Sequence, residues 1–315
     1  MTEHGIRRMI IDTDTAADDS FALLVGLLHP GANLEAITIV AGNVAFEQQI
    51  ENALLTVKAA GRAGEVEVHC GARVPLMRPW YESRAHGDGK GNHDFEKPSQ
   101  QPSDEGAAEA LVRIVNESPG EIDILAIGPL TNIATAILLD RDFPSKVRQL
   151  WIMGGCDNSV GNVTAAAEYN FFVDPEAADI VMRAGFDVTI STWTLTLAQA
   201  TWSREQLAEI DAIDNDLARF FTILDKPNIE YNESEGIMGS THPDSVTAMM
   251  MVRPDLILET SRKFVAIEST SELTRGYSLF DDRAHRNPAN ATVIDRIDAQ
   301  GFFDAYAELL RAGAR

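Results

Sequence analysis

A mostly parallel central sheet with helices on both faces, the α/β class, is predicted for this 315-residue chain by three observations. Short β-branched runs alternate with longer amphipathic segments through the first 190 residues. Strand–helix–strand repetition of that kind builds parallel sheets covered on two sides. Hydrophobic residues make up 45% and charged residues 23% of the chain, and a chain of about 300 residues buries roughly three quarters of its unfolded surface, so a full core is available. No low-complexity linker, charge block or internal repeat interrupts the pattern, so residues 1–315 read as a single domain.

Arg8 to Asp12 (RMIID) reads as a buried strand, followed by a helix through DDSFALLVGLLH. Leu34 to Ala41 is the second strand, and FEQQIENALLTVKAAG repeats apolar residues at helical spacing. EVEVHCG, EIDILAIG, RQLWIMGG and DVTIS continue the strands, between helices at AAEALVRIVNE, LTNIATAILL and PEAADIVMRAG. Beyond them, residues 203–226 and DSVTAMMMV read as helices, KFVAIES and TRGYSLF as a strand pair, ATVIDRI as a further strand, and AQGFFDAYAELLRAG as a terminal helix. Two stretches, 71–103 and 227–242, are longer than ordinary connections and are read as lids. Ligands of such a sheet lie beyond the carboxyl ends of its strands.

Charge narrows the partners. Lys and Arg number 26 against 48 Asp and Glu, a net −22 that opposes nucleic acid and anionic lipid. Cys70 and Cys156 form neither a CxxC pair nor a disulfide framework. The opening MTEHGIRRMIID has too short an apolar run for a signal peptide, and no run approaches the about 18 residues of a membrane span. A cytoplasmic protein is expected, in which the sequons at Asn162, Asn232 and Asn290 go unused.

The sharpest feature is IIDTDTAADDS, with Asp12, Asp14, Asp18 and Asp19 inside eight residues. Asp12 and Asp14 share a face of an extended strand, and Asp14 falls at the sheet's carboxyl edge. Asp18 and Asp19 fall where the next helix starts, where carboxylates cap free N–H groups. Capping accounts for one or two acids, not four. Like charges this close raise one another's pKa unless a cation or hydrogen bonds hold them ionised, and oxygen ligands without Cys or His suit Ca²⁺ or Mg²⁺. Strand–DxD also opens haloacid-dehalogenase-type phosphohydrolases, but these need Thr or Val two residues after the second Asp, where this chain has Ala16.

The other polar positions read as ordinary by themselves. Asn43 suits a turn after a strand, Thr131 and Asn132 a helix start, Asn162, Glu168 and Asn170 a loop, and Asp244 an N-cap, with the Met run behind it as core. AHGDGKGN follows no strand and does not match GxGxxG, so it is not a dinucleotide loop.

Together these pieces resemble the nucleoside hydrolases of the inosine–uridine-preferring type. Asp12-Thr-Asp14…Asp18-Asp19, Gly42-Asn43, Gly128 to Asn132, Asn162…Glu168-Tyr-Asn170 and His242-Pro-Asp244 stand in family order over essentially the whole chain. The resemblance implies the nucleoside hydrolase fold, a Rossmann-like open α/β sheet, and a Ca²⁺-dependent enzyme that splits ribonucleosides into ribose and free base. It implies Asp14 as metal ligand and general base, with Asp19, Asp244 and a main-chain carbonyl at or beside Thr131 as further ligands. Asp18, Asn43, Asn162, Glu168, Asn170 and Asp244 would meet the ribose and the attacking water, and Asp12 would support them from behind. The expected partners are a small ribonucleoside and further copies of the chain, as homodimer or homotetramer. Two departures stand out: the family's Pro-Gly after DTD is Thr15-Ala16 here, and Pro243 separates His242, the expected leaving-group acid, from Asp244. His86, or stacking by Trp80 or Tyr231, is the other route to a stabilised leaving base. A non-catalytic nucleoside binder on the same fold is the competing class.

Overall fold

The computed structural model describes residues 5–87, 89, 95–283 and 285–314. Its elements run β1 (Arg7–Thr13), α1 (Ala17–Leu28), β2 (Ala32–Ile39), α2 (Phe46–Ala59), β3 (Glu67–Cys70), α3 (Ala107–Glu117), β4 (Ile122–Ala126), α4 (Thr131–Leu139), α5 (Phe143–Lys146), β5 (Gln149–Met153), α6 (Tyr169–Val173), α7 (Pro175–Arg183), β6 (Val188–Ser191) and α8 (Trp193–Gln199). The remainder holds β7 (Thr201–Trp202), α9 (Arg204–Asp211), α10 (Asp216–Ser234), β8 (Ser240–Thr241), α11 (Pro243–Val252), β9 (Ile257–Ile267), β10 (Ser278–Asp281), β11 (Ala291–Ile297) and α12 (Ala299–Ala312).

Among the described residues, one nine-stranded sheet has the order β10-β9-β11-β6-β5-β4-β1-β2-β3. Every pairing from β11 to β3 is parallel; β9 runs antiparallel to both β11 and β10. The strand pair and the additional strand expected from the last third therefore join the main sheet. Alternation along β1 shows why both faces are covered: Met9 and Ile11 pack into one core, with α1, α2, α11 and α12, and Ile10 into the other, with α3, α4 and α7. The Met249–Met251 run is wholly buried in the first of these cores. Strand order turns back between β1 and β4, the arrangement that opens a crevice at the carboxyl ends of both strands.

Two segments depart from the pattern reading. Residues 203–226 are two helices, broken before Asn215, whose side chain caps α10 by accepting from the Ala218 N–H. Helix α10 then continues through Pro227 to Ser234, where a lid loop was expected. A proline costs a helix interior one hydrogen bond, but Asn228 and Asn232 tie this end of the helix to Ser240, Thr241 and Gly239, so tertiary bonds override local propensity. Residues 71–103 have no helix or strand among those described; 88 and 90–94, which include half of the AHGDGKGN stretch, lie outside the described residues. Among the described residues, no helix is long and apolar enough to cross a membrane.

Candidate active site

The crevice is built outward from the end of β1. Asp12, the last acid within the strand, is fully buried; its Oδ1 accepts from the Thr38 hydroxyl of β2 (2.5 Å) and from Asn132 Nδ2 of α4 (2.8 Å). Burial pushes its carboxyl up to about 7, against those two bonds. Asn132 also accepts from the Ala72 N–H, so it stitches β1 to the start of the long loop.

Asp14 stands just past the strand. Its Oδ2 accepts from the Asn43 N–H (2.7 Å), while its Oδ1 is buried with no hydrogen-bond partner among the described residues. Gly42 and Gly128 flank it: a Cβ on Gly42 would overlap Oδ2, and one on Gly128 would lie 2.8 Å from Oδ1. This is why glycine ends both neighbouring strand loops. Burial, then the charges of Asp19 and Asp18, hold the Asp14 carboxyl well above its ordinary range, with the Asn43 N–H opposing.

Asp19 serves two masters. Its Oδ1 accepts from the Thr13 hydroxyl (2.6 Å) and its Oδ2 from the Ala16 N–H (2.9 Å), the capping role expected of it, while Asn43 Nδ2 reaches the same oxygen at 3.2 Å. Asp18 Oδ1 has no hydrogen bond among the described residues and faces His86 Nε2 at 3.7 Å. Carboxylate oxygens of Asp18, Asp19 and Asp244 lie within 4.8 Å of one another. Burial raises Asp18 and Asp19 to about 6 and Asp244 well above its ordinary value, where the charges of Asp18, Asp19, Asp14 and Glu168 add to it. Three facing carboxylates, with a fourth carrying a bare buried oxygen, suit a hard divalent cation. Asp18 thus belongs with Asp19 and Asp244 by distance.

The opposite wall comes from the β5–α6 connection. Glu168 caps α6: Oε1 accepts from the Asn170 N–H and Oε2 from the Gly155 and Phe171 N–H groups. Burial still lifts its carboxyl to about 7. Asn170 Nδ2 donates to the Ile127 and Met153 carbonyls at the ends of β4 and β5, and Asn162 Oδ1 accepts from the Tyr169 N–H. Asp18, Asn43, Asn162, Glu168, Asn170 and Asp244 all line one cleft of about 490 Å³.

Thr131, Trp80 and His242 are not among the residues lining that cleft. Thr131 begins α4 and donates its hydroxyl to Asp174 (2.6 Å); its carbonyl accepts from the Thr135 hydroxyl. Trp80 is a clamp: its indole N–H donates to the Gly42 carbonyl (2.7 Å) and its ring packs on the core. His242 is fully buried, its ring tilted against Trp202 at 3.8 Å and stacked with Phe221 at 5.8 Å, both ring nitrogens without hydrogen bonds among the described residues; burial lowers it to about 3. As leaving-group acid it is misplaced here, because the intervening proline turns it inward and puts Pro243 on the cleft wall. Tyr231 and His86 do line the cleft.

Residues 9–304 match the family described as inosine-uridine preferring nucleoside hydrolase. The chain belongs to that family. It is 37% identical to "Uridine nucleosidase 1" of Arabidopsis thaliana over 91% of this chain and 85% of that protein. It is 35% identical to "Pyrimidine-specific ribonucleoside hydrolase RihA" of Shewanella sp. (strain MR-4) over 96% of each. The solved plant nucleoside hydrolase PpNRh1 superposes with a TM-score of 0.90 at 30% identity, over 97% of this chain and 99% of that one. The protein is a nucleoside hydrolase, of a metal-dependent family, and its aspartate cluster could hold the metal.

Several residues of this nucleoside hydrolase's site carry no motif. Gln49 Nε2 donates to the Asp14 carbonyl (2.8 Å) and Asn52 Nδ2 to the Thr15 carbonyl (2.9 Å), so α2 holds the 14–16 loop where the family's Pro-Gly is missing. Asp174 ties Thr131 to the Leu76 N–H of the long loop. For Gln49 and Asn52 the signal in sequence was a polar residue among the apolar positions of α2, which is common on solvated faces too, and for Asp174 a helix cap before Pro175.

Proposed function

We propose that this nucleoside hydrolase cleaves the N-glycosidic bond of ribonucleosides to ribose and free base, with Ca²⁺ as its metal and Asp14 as general base. The observation that carries the reading is Asp14 Oδ1: buried, without a hydrogen bond, and electrostatically coupled to Asp18, Asp19 and Asp244. Asp14, Asp19 and Asp244 would hold the metal, with Asp18 beside them and a main-chain carbonyl at or near Thr131. When bound, such an ion supplies Lewis-acid polarisation and a template for the vicinal ribose hydroxyls. Asp14 accepts the proton of the attacking water. Asp18, Asn43, Asn162, Glu168 and Asn170 position the sugar, and the surrounding acids favour the positive charge that develops on it as the bond breaks. Asp12 holds Asn132 and Thr38 behind the site.

His86 and Tyr231 offer the leaving base its hydrogen bond, in place of the buried His242. Relatives named for uridine and pyrimidine ribonucleosides support uridine as the first substrate to assay. A dehalogenase-type reaction would need Asp12 as nucleophile, and that residue lies within β1 rather than past its end, held by Thr38 and Asn132. The test is product analysis on uridine with phosphate present, before and after chelation. Free ribose and uracil are expected, abolished by EDTA and restored by Ca²⁺. Ribose 1-phosphate, or full turnover in metal-free protein, would defeat the proposal.

A further inference from the structure

We infer that Asn158 is a positioning residue: its side-chain amide docks the β5–α6 connection onto the edge strand β10, and that dock sets where Asn162 stands in the cleft. The inference rests on the reading of Asn162 as a ribose contact.

The segment needs an anchor. Residues 157–166 bring Val160, Gly161, Asn162 and Val163 to the cleft wall, yet none of the ten is buried. Apolar burial therefore does not fix this stretch. Backbone preference works against it as well. Asp157 (φ 43°) and Asn158 (φ 57°) are the two residues other than glycine with positive φ among the described residues. Asn and Asp tolerate that left-handed region better than other residues with a Cβ, but surrounding bonds must still offset its cost.

Those bonds converge on one hairpin. Asn158 Oδ1 accepts from the Phe280 N–H (2.9 Å), and Asn158 Nδ2 donates to the Phe280 carbonyl (2.7 Å). Val265, opposite Phe280 in β9, turns its own N–H and carbonyl the other way, to Asn290. The Asn158 amide thus takes the two backbone groups that Phe280 presents on the open edge of the sheet, as a further strand would. Beside it, both oxygens of Asp157 accept from Lys263 Nζ of β9 (2.9 and 3.0 Å), and the Cys156 N–H donates to the Ser278 hydroxyl (3.2 Å). Three consecutive residues are therefore tied to β9 and β10, and Asn162 follows four positions later.

Without the dock, only a fraction of molecules would present Asn162 to the sugar. A site populated in part binds with its Kd raised by the inverse of that fraction. Asp14 and the aspartate cluster belong to other elements, so the chemistry of a bound substrate stays as it was. Loss of the dock raises KM and leaves kcat.

The experiment is steady-state kinetics of the full chain loaded with Ca²⁺, on the best ribonucleoside substrate of the wild type. Asn158→Gly keeps the left-handed backbone accessible and removes the amide. Two ordinary hydrogen bonds correspond to about tenfold in a docking equilibrium, so KM should rise by roughly three- to tenfold with kcat within about twofold of wild type. Lys263→Met leaves the loop sequence intact and should raise KM by roughly two- to fivefold; it serves also if the first variant does not fold. In an Asn162→Ala background, Asn158→Gly should add less than about twofold, because the contact it positions is already gone. An unchanged KM in both variants, a loss confined to kcat, or the same effect with and without Asn162 would overturn the inference while the hydrolase reading stands. A wild type that cleaves no ribonucleoside would defeat that reading, and this inference with it.

Discussion

Asp14 is a carboxylate kept bare by its neighbours. Glycines at 42 and 128 leave room for both oxygens, one N–H holds Oδ2, and no basic side chain neutralises Oδ1. Asp14→Asn preserves that shape and the Asn43 bond but removes the proton acceptor. Turnover on uridine should fall by roughly 10²-fold or more, with the melting temperature of the metal-free protein unchanged or raised, since a buried carboxyl has been neutralised. Gly42→Ala makes a different case. Its methyl would overlap Asp14 Oδ2, and a displacement near 1 Å can cost about 10²-fold in rate. Steady-state kinetics should show a loss in kcat of that order, while circular dichroism keeps the α/β signature. A wild-type kcat in this variant would show that Asp14 does not need its present position.

At the scale of elements, the loop between β1 and α1 is held from outside. Without Pro-Gly, residues 14–16 depend on α2, through Gln49 to the Asp14 carbonyl and Asn52 to the Thr15 carbonyl, and on the Thr13–Thr15 hydroxyl contact. Support of this kind behind a ligand commonly carries about 10- to 100-fold in metal affinity. The double variant Gln49→Ala/Asn52→Ala should therefore weaken Ca²⁺ binding by roughly that factor in calorimetric titration. An unchanged Kd would mean that the loop is self-supporting. Helix α10 carries the second lesson. Its continuation past Pro227 depends on Asn228 and Asn232 bonding to β8 and Gly239, partners about ten residues on in sequence but chosen only by the fold. Pattern reading stops such a helix at the proline because periodicity contains no term for those bonds.

Across the molecule, the acids of the crevice, with Asp225 buried on α10 against Ser240 and Asn228, set how stability depends on pH. In the metal-free fold, burial raises Asp18 and Asp19 to about 6 and Asp12, Glu168 and Asp225 to about 7. Unfolded carboxyls titrate near 4. Between those values the folded chain binds more protons than the unfolded one, so stability is fully present below about pH 4 and falls as pH rises towards 7. A metal needs the carboxylates ionised and binds only the folded chain, so its stabilisation grows over the same window. Melting curves with EDTA should show a lower Tm at pH 8 than at pH 5, and the rise in Tm caused by Ca²⁺ should be larger at pH 8. A calcium shift that is equal at the two pH values would contradict the aspartate cluster as the binding site.

The sequence by itself determined the class of sheet, its parallel strands and the place of the acids at a strand's carboxyl end, because alternation and periodicity are properties of neighbouring residues. Its motifs in order also determined the family. Which oxygens stay bare was a matter for the tertiary structure. Asp12 and Asp14 are two residues apart and each keeps one oxygen without a hydrogen bond among the described residues, but Thr38 and Asn132 hold Asp12 within the sheet while Gly42 and Gly128 make room for Asp14 beside the other acids. His242 shows the same division: its position beside the motif was legible, but a ring turned into Trp202 and Phe221 follows from the backbone direction that Pro243 imposes and from an aromatic pocket assembled by β7 and α10. Side-chain direction and burial are decided by contacts between distant segments, and those exist only once the chain has packed.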